Sequence, residues 1–196
     1  MKILILGYGF VGKATHRLLT NIDESLDISI HDPALEYSVP KASQFDYVFI
    51  CVPTDAKPGD MGELDISILK SVYNMFVGQQ VIRSTIGPDH VEHFPGAIVF
   101  PEFLRENHWK EDVDDDSIPL IIGSEEISTN SLNQWFAEQT NKSVKVVDPE
   151  EAAMMAQIIG MQNAGQNAGA EAGPGGQEPG GMGAAEGVPA GAQDLG

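Results

Sequence analysis

The feature that most constrains the fold of this chain is an apolar run that stops at a glycine-rich turn. The run Lys2–Leu6 leads into Gly7-Tyr8-Gly9-Phe10-Val11-Gly12, and a helical pattern continues over Val11–Leu19. After a buried strand, Gly7 lets the chain turn and Gly12 lets the helix pack close to the strand. Gly9 lets the backbone approach a pyrophosphate. The N-terminus therefore predicts the first strand and helix of a parallel α/β sheet.

The same turn predicts a nucleotide site. Free backbone N–H groups at the start of the helix, those of Phe10 and Val11 among them, favour phosphate charge together with the helix dipole. Asp32 lies 20 residues after Gly12, where an acid accepts hydrogen bonds from an adenosine ribose. A carboxylate there repels the additional phosphate of NADP, and no arginine is adjacent to it in the sequence. We therefore predict that NAD is the cofactor, with a tight turn that binds no ligand as the alternative.

Strand and helix patterns alternate along the rest of the first 160 residues. The predicted strands are Lys2–Leu6, Asp27–His31, Tyr47–Val52, Val81–Ser84, Ala97–Phe100, Pro119–Gly123 and Ser143–Val147. The predicted helices are Val11–Leu19, Asp65–Val77, a short one from Pro88, Thr129–Gln139 and one that Asp148 caps before Pro149. Strands that alternate with helices indicate a parallel sheet covered on both faces. We predict a doubly wound, Rossmann-type α/β domain.

Composition divides the chain into two parts, a domain over residues 1–160 and a Gly/Ala-rich tail over 161–196. From Asn163 to Gly196 the sequence has no aromatic residue, lysine or arginine. Such a segment buries too little apolar surface to offset the loss of chain entropy on folding. We therefore predict a disordered C-terminal tail, with a role in binding a partner left open.

Charge and apolar content limit the partners of the chain. With 29 acidic and 11 basic residues, its formal net charge is −18. An excess of acid argues against binding to nucleic acid and to an anionic membrane surface. The single cysteine, Cys51, fits a reducing compartment, and no apolar run approaches the ~20 residues that span a membrane. The sequence predicts a cytoplasmic protein.

Four further motifs narrow the interpretation. They are, in chain order, Cys51-Val52-Pro53-Thr54, Gly62-Glu63-Leu64-Asp65, Arg83-Ser84-Thr85-Ile86 and Pro101-Glu102-Phe103-Leu104-Arg105-Glu106. In this order and at this spacing, they resemble the N-terminal domain of the UDP-glucose/GDP-mannose dehydrogenase family. The resemblance extends from Met1 to about Ile159. It implies an oxidoreductase that converts the primary alcohol of a nucleotide sugar to a carboxylate with two NAD per sugar.

The resemblance also implies roles around the cofactor. Pro53 and Thr54 would lie along it, and Ser84 and Thr85 would lie near the nicotinamide. In the family, the threonine at the position of Thr85 helps hold a catalytic water. Independently, all four residues lie at the carboxyl ends of predicted strands, where open parallel sheets bind their ligands.

On the substrate side, the resemblance assigns Glu102 to the hydrolysis of a covalent intermediate. It places Glu106 near the cofactor or substrate, and it gives Phe103 and Leu104 backbone contacts to the sugar. A glutamate in such a cleft acts as a general base if burial raises its pKa. The alternative for Glu102 is a carboxylate that caps a turn.

Two groups that the family's chemistry requires are not found at matching positions. The second oxidation needs a nucleophilic cysteine, but Cys51 precedes the proline of its motif and is predicted to be a small buried apolar residue. The family's catalytic lysine would fall on the helix from Glu151, where Gln157 stands instead. The chain is thus expected to lack the sugar-nucleotide half of the site. It is then an NAD-dependent oxidoreductase that acts with a partner chain, as half of a split enzyme, or that catalyses a simpler one-hydride oxidation. The alternative is a non-catalytic NAD-binding module.

Other candidate sites receive simpler interpretations. The run Asp112–Asp116 lacks the alternating ligands and glycine of a calcium loop, so we predict a solvated acidic loop. His90 and His93 have no clear third ligand, and no metal site is predicted. Trp109 and Trp135 are expected to pack against the core.

Overall fold

One mixed β-sheet organises the chain. The computed structural model describes residues 1–55, 63–125 and 131–170, with side chains up to residue 159. In these ranges seven strands lie side by side in the order β2-β1-β3-β4-β5-β6-β7. The strands are β1 (Lys2–Leu6), β2 (Asp27–His31), β3 (Gln44–Ile50), β4 (Val77–Ile82), β5 (Ile98–Val99), β6 (Leu120–Gly123) and β7 (Val144–Val147). Neighbouring strands are parallel except β5 and β6, which are antiparallel.

Helices cover both faces of this sheet. They are α1 (Phe10–Ile22), α2 (Ser67–Val72), α3 (Trp109–Asp114), α4 (Ser131–Gln139) and α5 (Pro149–Ala170). Short 3-10 helices span Pro33–Leu35, Pro88–His93 and Glu106–His108. None of the helices in the described part of the chain is long and apolar enough to cross a membrane.

Alternation along the strands divides the core into two layers. Ile3 and Ile5 of β1 pack with apolar residues of α1, α3 and α4 on one face. Leu4 and Leu6 pack with residues of α2 and α5 on the other. All four side chains are buried, because successive residues of a strand point to opposite faces and both faces are covered. The prediction of a doubly wound α/β domain is confirmed.

The strand order creates a crevice between β1 and β3. From β1 the chain passes to β2 on one side and then returns to β3 on the other side of β1. At such a reversal the connections leave in opposite directions, and the carboxyl ends of the two strands open onto a crevice where ligands bind. The glycine-rich turn and the segment that begins with Cys51 follow these two strands.

Most predicted elements are present, with shifted ends. β1 and β2 have the predicted bounds. β4 begins at Val77 instead of Val81, and its first half was not predicted because glycine and glutamine are not typical of a strand. Gln80 is nevertheless buried, and its amide donates to the carbonyls of Phe76 and Gly78 at 3.1 and 2.8 Å. α2 ends at Val72 instead of Val77, and the backbone turns at Asn74, which has a positive φ of 59°.

Helix α5 extends further than the sequence predicts. It begins at Pro149, as predicted, and runs to Ala170, so residues 161–170 of the predicted tail are helical. Extending an existing helix costs much less than starting one, and alanine and glutamine favour helix, which offsets the glycines of this stretch. Residues 171–196 lie outside the described residues, and their disorder stays a prediction.

Candidate functional site

A side chain would meet different surroundings at each of the three glycines of the turn. Gly7 has a φ of +89°, and a Cβ there would lie 2.7 Å from the carbonyl oxygen of Cys51. A Cβ at Gly12 would collide with the carbonyl oxygen of Gly7. A Cβ at Gly9 would meet nothing within 4 Å. The fold itself therefore requires glycine at the first and third positions, whereas the middle glycine borders open space.

That open space lies at the N-terminus of α1. Gly9 is the N-cap residue, it is exposed, and no side chain caps the helix. The amide groups of the first turn, at Phe10 and Val11, therefore have no capping side chain and carry the positive end of the helix dipole. The turn has the shape and the charge that a pyrophosphate requires.

The carboxylate of Asp32 lies directly beside this turn. Its Oδ2 accepts a hydrogen bond from the backbone N–H of Tyr8 at 2.7 Å, and its Oδ1 accepts one from Ala34 at 3.0 Å. The side chain is only half-buried, and each oxygen retains a lone pair for a further donor. The backbone holds Asp32 in place, because its N–H and carbonyl pair with those of Tyr37 at 2.9 and 3.0 Å.

Hydrogen bonds join the segments after β3 and β4. The hydroxyl of Ser84 is buried and donates to the carbonyl of Val52 at 2.7 Å. The hydroxyl of Thr54 donates to the carbonyl of Thr85 at the same distance. Thr54 and Thr85 are half-buried and Pro53 is exposed, so these three residues border the crevice. The hydroxyl of Ser84 is instead used in its hydrogen bond to the backbone.

Glu102 caps a turn and is half-buried. Its Oε2 accepts a hydrogen bond from the backbone N–H of Leu104 at 2.7 Å. Burial raises the pKa of Glu102, while this hydrogen bond and the charge of Arg83 act in the opposite direction. The turn-capping alternative is therefore observed, and the raised pKa is the property that a general base needs.

The remaining residues of this motif have different surroundings. Phe103 and Leu104 are half-buried and pack against opposite layers of the core, so the segment passes over the end of the sheet. Glu106 is exposed at the first position of a 3-10 helix. The structure thus gives Glu102 a more enclosed environment than Glu106.

Cys51 is a buried thiol. Its side chain is 7% exposed, and burial raises its pKa to about 11. A cysteine must ionise to act as a nucleophile, and this thiol stays protonated at neutral pH. The prediction of a small buried apolar residue is confirmed.

The acidic run Asp112–Asp116 is not a solvated loop, and that prediction was wrong in its first half. Asp112 is buried in α3, and its carboxylate accepts hydrogen bonds from the backbone and guanidinium of Arg105 at 2.5–3.2 Å. Asp114 pairs with Arg17 of α1 at 2.5 and 2.9 Å. A run of acidic residues does not indicate these ion pairs, because their basic partners are distant along the chain or on another element.

Helix α5 closes one edge of the region. A Cβ at Gly87 would lie 2.7 Å from Nε2 of Gln157, so this amide packs against the loop that follows Thr85. The neighbouring ring of His90 accepts a hydrogen bond from the N–H of Gly87 at 3.2 Å.

Across the described ranges no group of three or more histidine, cysteine, aspartate or glutamate side chains is arranged to hold a metal ion. Trp109 and Trp135 pack against the core, as predicted.

Arg83 also belongs to this region, although the sequence does not predict it as a site residue. Its side chain is 3% exposed, and it lines a small cavity with Glu102, Asp112 and Lys142. It precedes Ser84 at the end of β4, where nothing in the sequence marks it as buried. A lone arginine is usually exposed, so only the fold reveals its position.

Comparison with known proteins agrees with the fold. No family model matches the chain, and no curated protein matches it either. Among solved structures, GDP-mannose dehydrogenase from Pseudomonas aeruginosa is similar, with a TM-score of 0.66 and 19% identity over 87% of this chain and 51% of that one. For a UDP-glucose dehydrogenase from Pyrobaculum islandicum, the TM-score is 0.60 and the identity 18%, over 79% and 48% of the chains.

The same fold occurs in other oxidoreductases. A reductive aminase from Aspergillus terreus, solved with NADPH and ethyl levulinate, has a TM-score of 0.53 and 12% identity, over 86% of this chain and 62% of that one. The chain spans about half the length of the nucleotide-sugar dehydrogenases that it resembles. The fold-level resemblance to their N-terminal part is confirmed.

Proposed function

We propose that this chain binds NAD at its glycine turn and serves as the cofactor-binding domain of a nucleotide-sugar dehydrogenase. The observation that carries the proposal is the space at Gly9. The fold needs glycine at positions 7 and 12, but a Cβ at position 9 would meet no protein atom within 4 Å. A glycine that the fold does not need, at an uncapped helix N-terminus, is explained by a ligand that approaches the backbone.

Asp32 supports NAD rather than NADP. Its carboxylate accepts a hydrogen bond from the N–H of Tyr8 at 2.7 Å inside the turn, which supports a role in binding the ribose of a nucleotide there. The two hydroxyls of an adenosine ribose can donate to its free lone pairs. The phosphate of NADP would instead face a negative group that the backbone holds in position.

The segments after β4 and β5 support a reactive centre in the same crevice. NAD supplies a hydride acceptor when it is bound. Thr85 borders the crevice, and we assign to its hydroxyl the positioning of a water molecule near the nicotinamide. Glu102 would accept a proton from that water, since burial raises its pKa above the ordinary value of a glutamate. Phe103 and Leu104 would contact the sugar through their backbone.

A second candidate is an NAD-binding module without the covalent step. Two observations favour it: the thiol of Cys51 is buried with a pKa of about 11, and an amide, that of Gln157, packs beside Gly87. Neither group supplies a nucleophile or an ammonium to this side of the crevice. In this case the cysteine and lysine would come from a partner chain, or the chain would bind NAD without turnover.

Calorimetric titration of the chain with NAD and NADP tests the cofactor site. We expect saturable binding of NAD, weaker binding of NADP, and loss of NAD binding in Gly9→Val with an unchanged fold. Unaltered affinity in the variant would refute the glycine-turn argument. NADH formation from UDP-glucose and other nucleotide sugars, followed by absorbance, separates the two candidates: turnover supports the dehydrogenase, and binding without turnover supports the module.

A further inference from the structure

Arg83 is a buried cation whose charge is met by carbonyl groups. Its Nε donates to Oγ1 of Thr15 at 3.2 Å, and one terminal nitrogen donates to the carbonyls of Phe100 and Pro101 at 3.0 and 3.3 Å. The guanidinium also stacks on the ring of Phe100 at 4.2 Å. Within the described ranges no carboxylate forms a salt bridge with it.

Such an arrangement is poorly explained by stability alone. Taking a charge out of water is costly, and replacing buried ionic groups by apolar ones is often neutral or stabilising. A leucine or methionine would fill the same space between α1 and Phe100 without this cost. The directional bonds of the guanidinium are what an apolar residue would not provide.

Those bonds connect two parts of the proposed site. Phe100 and Pro101 come immediately before Glu102, so Arg83 fixes the backbone from which Glu102 extends. On the other side, the hydroxyl of Thr15 donates to the carbonyl of Val11 at 2.8 Å, in the first turn of α1. A continuous chain of hydrogen bonds therefore runs from the glycine-turn helix through Arg83 to the segment of Glu102.

We propose that Arg83 is a positioning residue that holds Glu102 at the carboxyl edge of the sheet and fixes this segment to the glycine-turn helix. The proposal rests on the proposed function for what Glu102 does to a substrate, but the positioning itself is independent of any ligand. It predicts that the orientation and ionisation of Glu102 depend on Arg83.

Electrostatic surroundings agree with this role. Burial raises the pKa of Glu102, and the nearby Asp112 of α3 also raises it. The hydrogen bond from Leu104 and the charge of Arg83 lower it. Lys142, which lines the same cavity, has its ammonium bonded to the carbonyl of Asp115. Among the described residues, Arg83 is therefore the cation whose charge lowers the pKa of Glu102.

NMR of the full chain without cofactor tests the proposal through two signals, the side-chain carboxyl of Glu102 and the amide of Leu104. We compare wild type with Arg83→Met, which removes charge and donors, and with Arg83→Lys, which keeps the charge but not the planar fork. Arg17→Met is the matched control, because it removes an exposed arginine of α1 that pairs with Asp114 and does not contact this segment. Thermal melts report the fold of each variant.

We expect a higher pKa of Glu102 and an upfield shift of the Leu104 amide proton in Arg83→Met. Arg83→Lys should keep the pKa of Glu102 closer to wild type while it still shifts the Leu104 amide. Arg17→Met should leave both signals unchanged. A purely structural role lowers the melting temperature alone.

An unchanged Glu102 titration in folded Arg83→Met would overturn the proposal. If that variant does not fold, an unaltered Leu104 amide in Arg83→Lys would do so. In wild type the Leu104 amide must also titrate with Glu102, and its failure to do so would equally count against the arrangement. A wild-type chain that does not bind NAD would refute the proposed function, but not this result.

Discussion

Substituting alanine at each glycine of the turn separates glycines that the fold needs from the one that a ligand needs. At Gly7, a residue with a side chain pays about 1–2 kcal/mol for its positive φ. Its Cβ would also lie 2.7 Å from the carbonyl oxygen of Cys51, and such overpacking costs about 1–3 kcal/mol. Gly7→Ala should therefore lower the free energy of unfolding by about 2–5 kcal/mol.

Gly12→Ala should also be destabilising, whereas Gly9→Ala should not. The Cβ at Gly12 collides with backbone, which outweighs the ~0.5–1 kcal/mol that alanine gains in a helix. At Gly9 the Cβ enters open space and φ is −68°, so lost flexibility of the unfolded chain and poorer N-capping nearly cancel. We expect a change within about 1 kcal/mol there.

Urea denaturation measures these differences directly. The midpoint should fall for Gly7→Ala and Gly12→Ala with an unchanged m value, and it should stay near wild type for Gly9→Ala. Loss of stability in Gly9→Ala as large as that in Gly12→Ala would refute the reasoning. The middle glycine would then have a structural role, and its open surroundings would no longer point to a ligand.

Three further substitutions or reactions test other parts of the site. Asp32→Ala should reduce the preference for NAD over NADP in calorimetric titrations, and an unaltered ratio of affinities would mean that this acid does not contact the ribose. Because burial raises the pKa of the Cys51 thiol to about 11, an aromatic disulfide reagent should label it only after denaturation, and rapid labelling of the native chain would contradict this. The hydrogen bond from Arg105 lowers the pKa of Asp112, so its stabilisation is present above the unfolded pKa of the carboxyl and is lost as pH falls through the folded one. Asp112→Asn should therefore weaken the loss of stability on the acid side in thermal melts, and a parallel pH profile would contradict the ion pair.

The sequence predicts the sheet well because most of its strands are apolar or alternating runs bounded by turn residues. β1 and β2 have the predicted bounds, since both are short apolar or alternating runs that end at a turn. β4 is only half predicted because Gly78, Gln79 and Gln80 are typical of a loop, whereas in the structure the side-chain amide of Gln79 donates to the carbonyl of Gly96, 17 residues further along the chain. Local pattern cannot report a partner that the fold brings in from another element.

In the candidate site, too, the sequence predicts the features that depend on local pattern but not those that depend on contacts between distant residues. The glycine turn and Asp32 are predictable, because backbone conformation and spacing within one βαβ unit dictate them. Arg83, by contrast, becomes part of the site through carbonyls 17 and 18 residues away and a hydroxyl 68 residues away. The pairing of Asp114 with Arg17 is similar, since the two residues are 97 positions apart in the sequence. Such contacts follow from topology and cannot be read from composition.

The central claim is that the glycine turn binds NAD, and mapping of backbone amide shifts during an NAD titration tests it most directly. We expect the largest changes at Gly9, Phe10 and Val11 and at Tyr8, whose N–H donates to Asp32, and we expect Gly9→Val to abolish them. Unperturbed amides at the turn at saturating NAD, or shifts centred elsewhere on the chain, would contradict it.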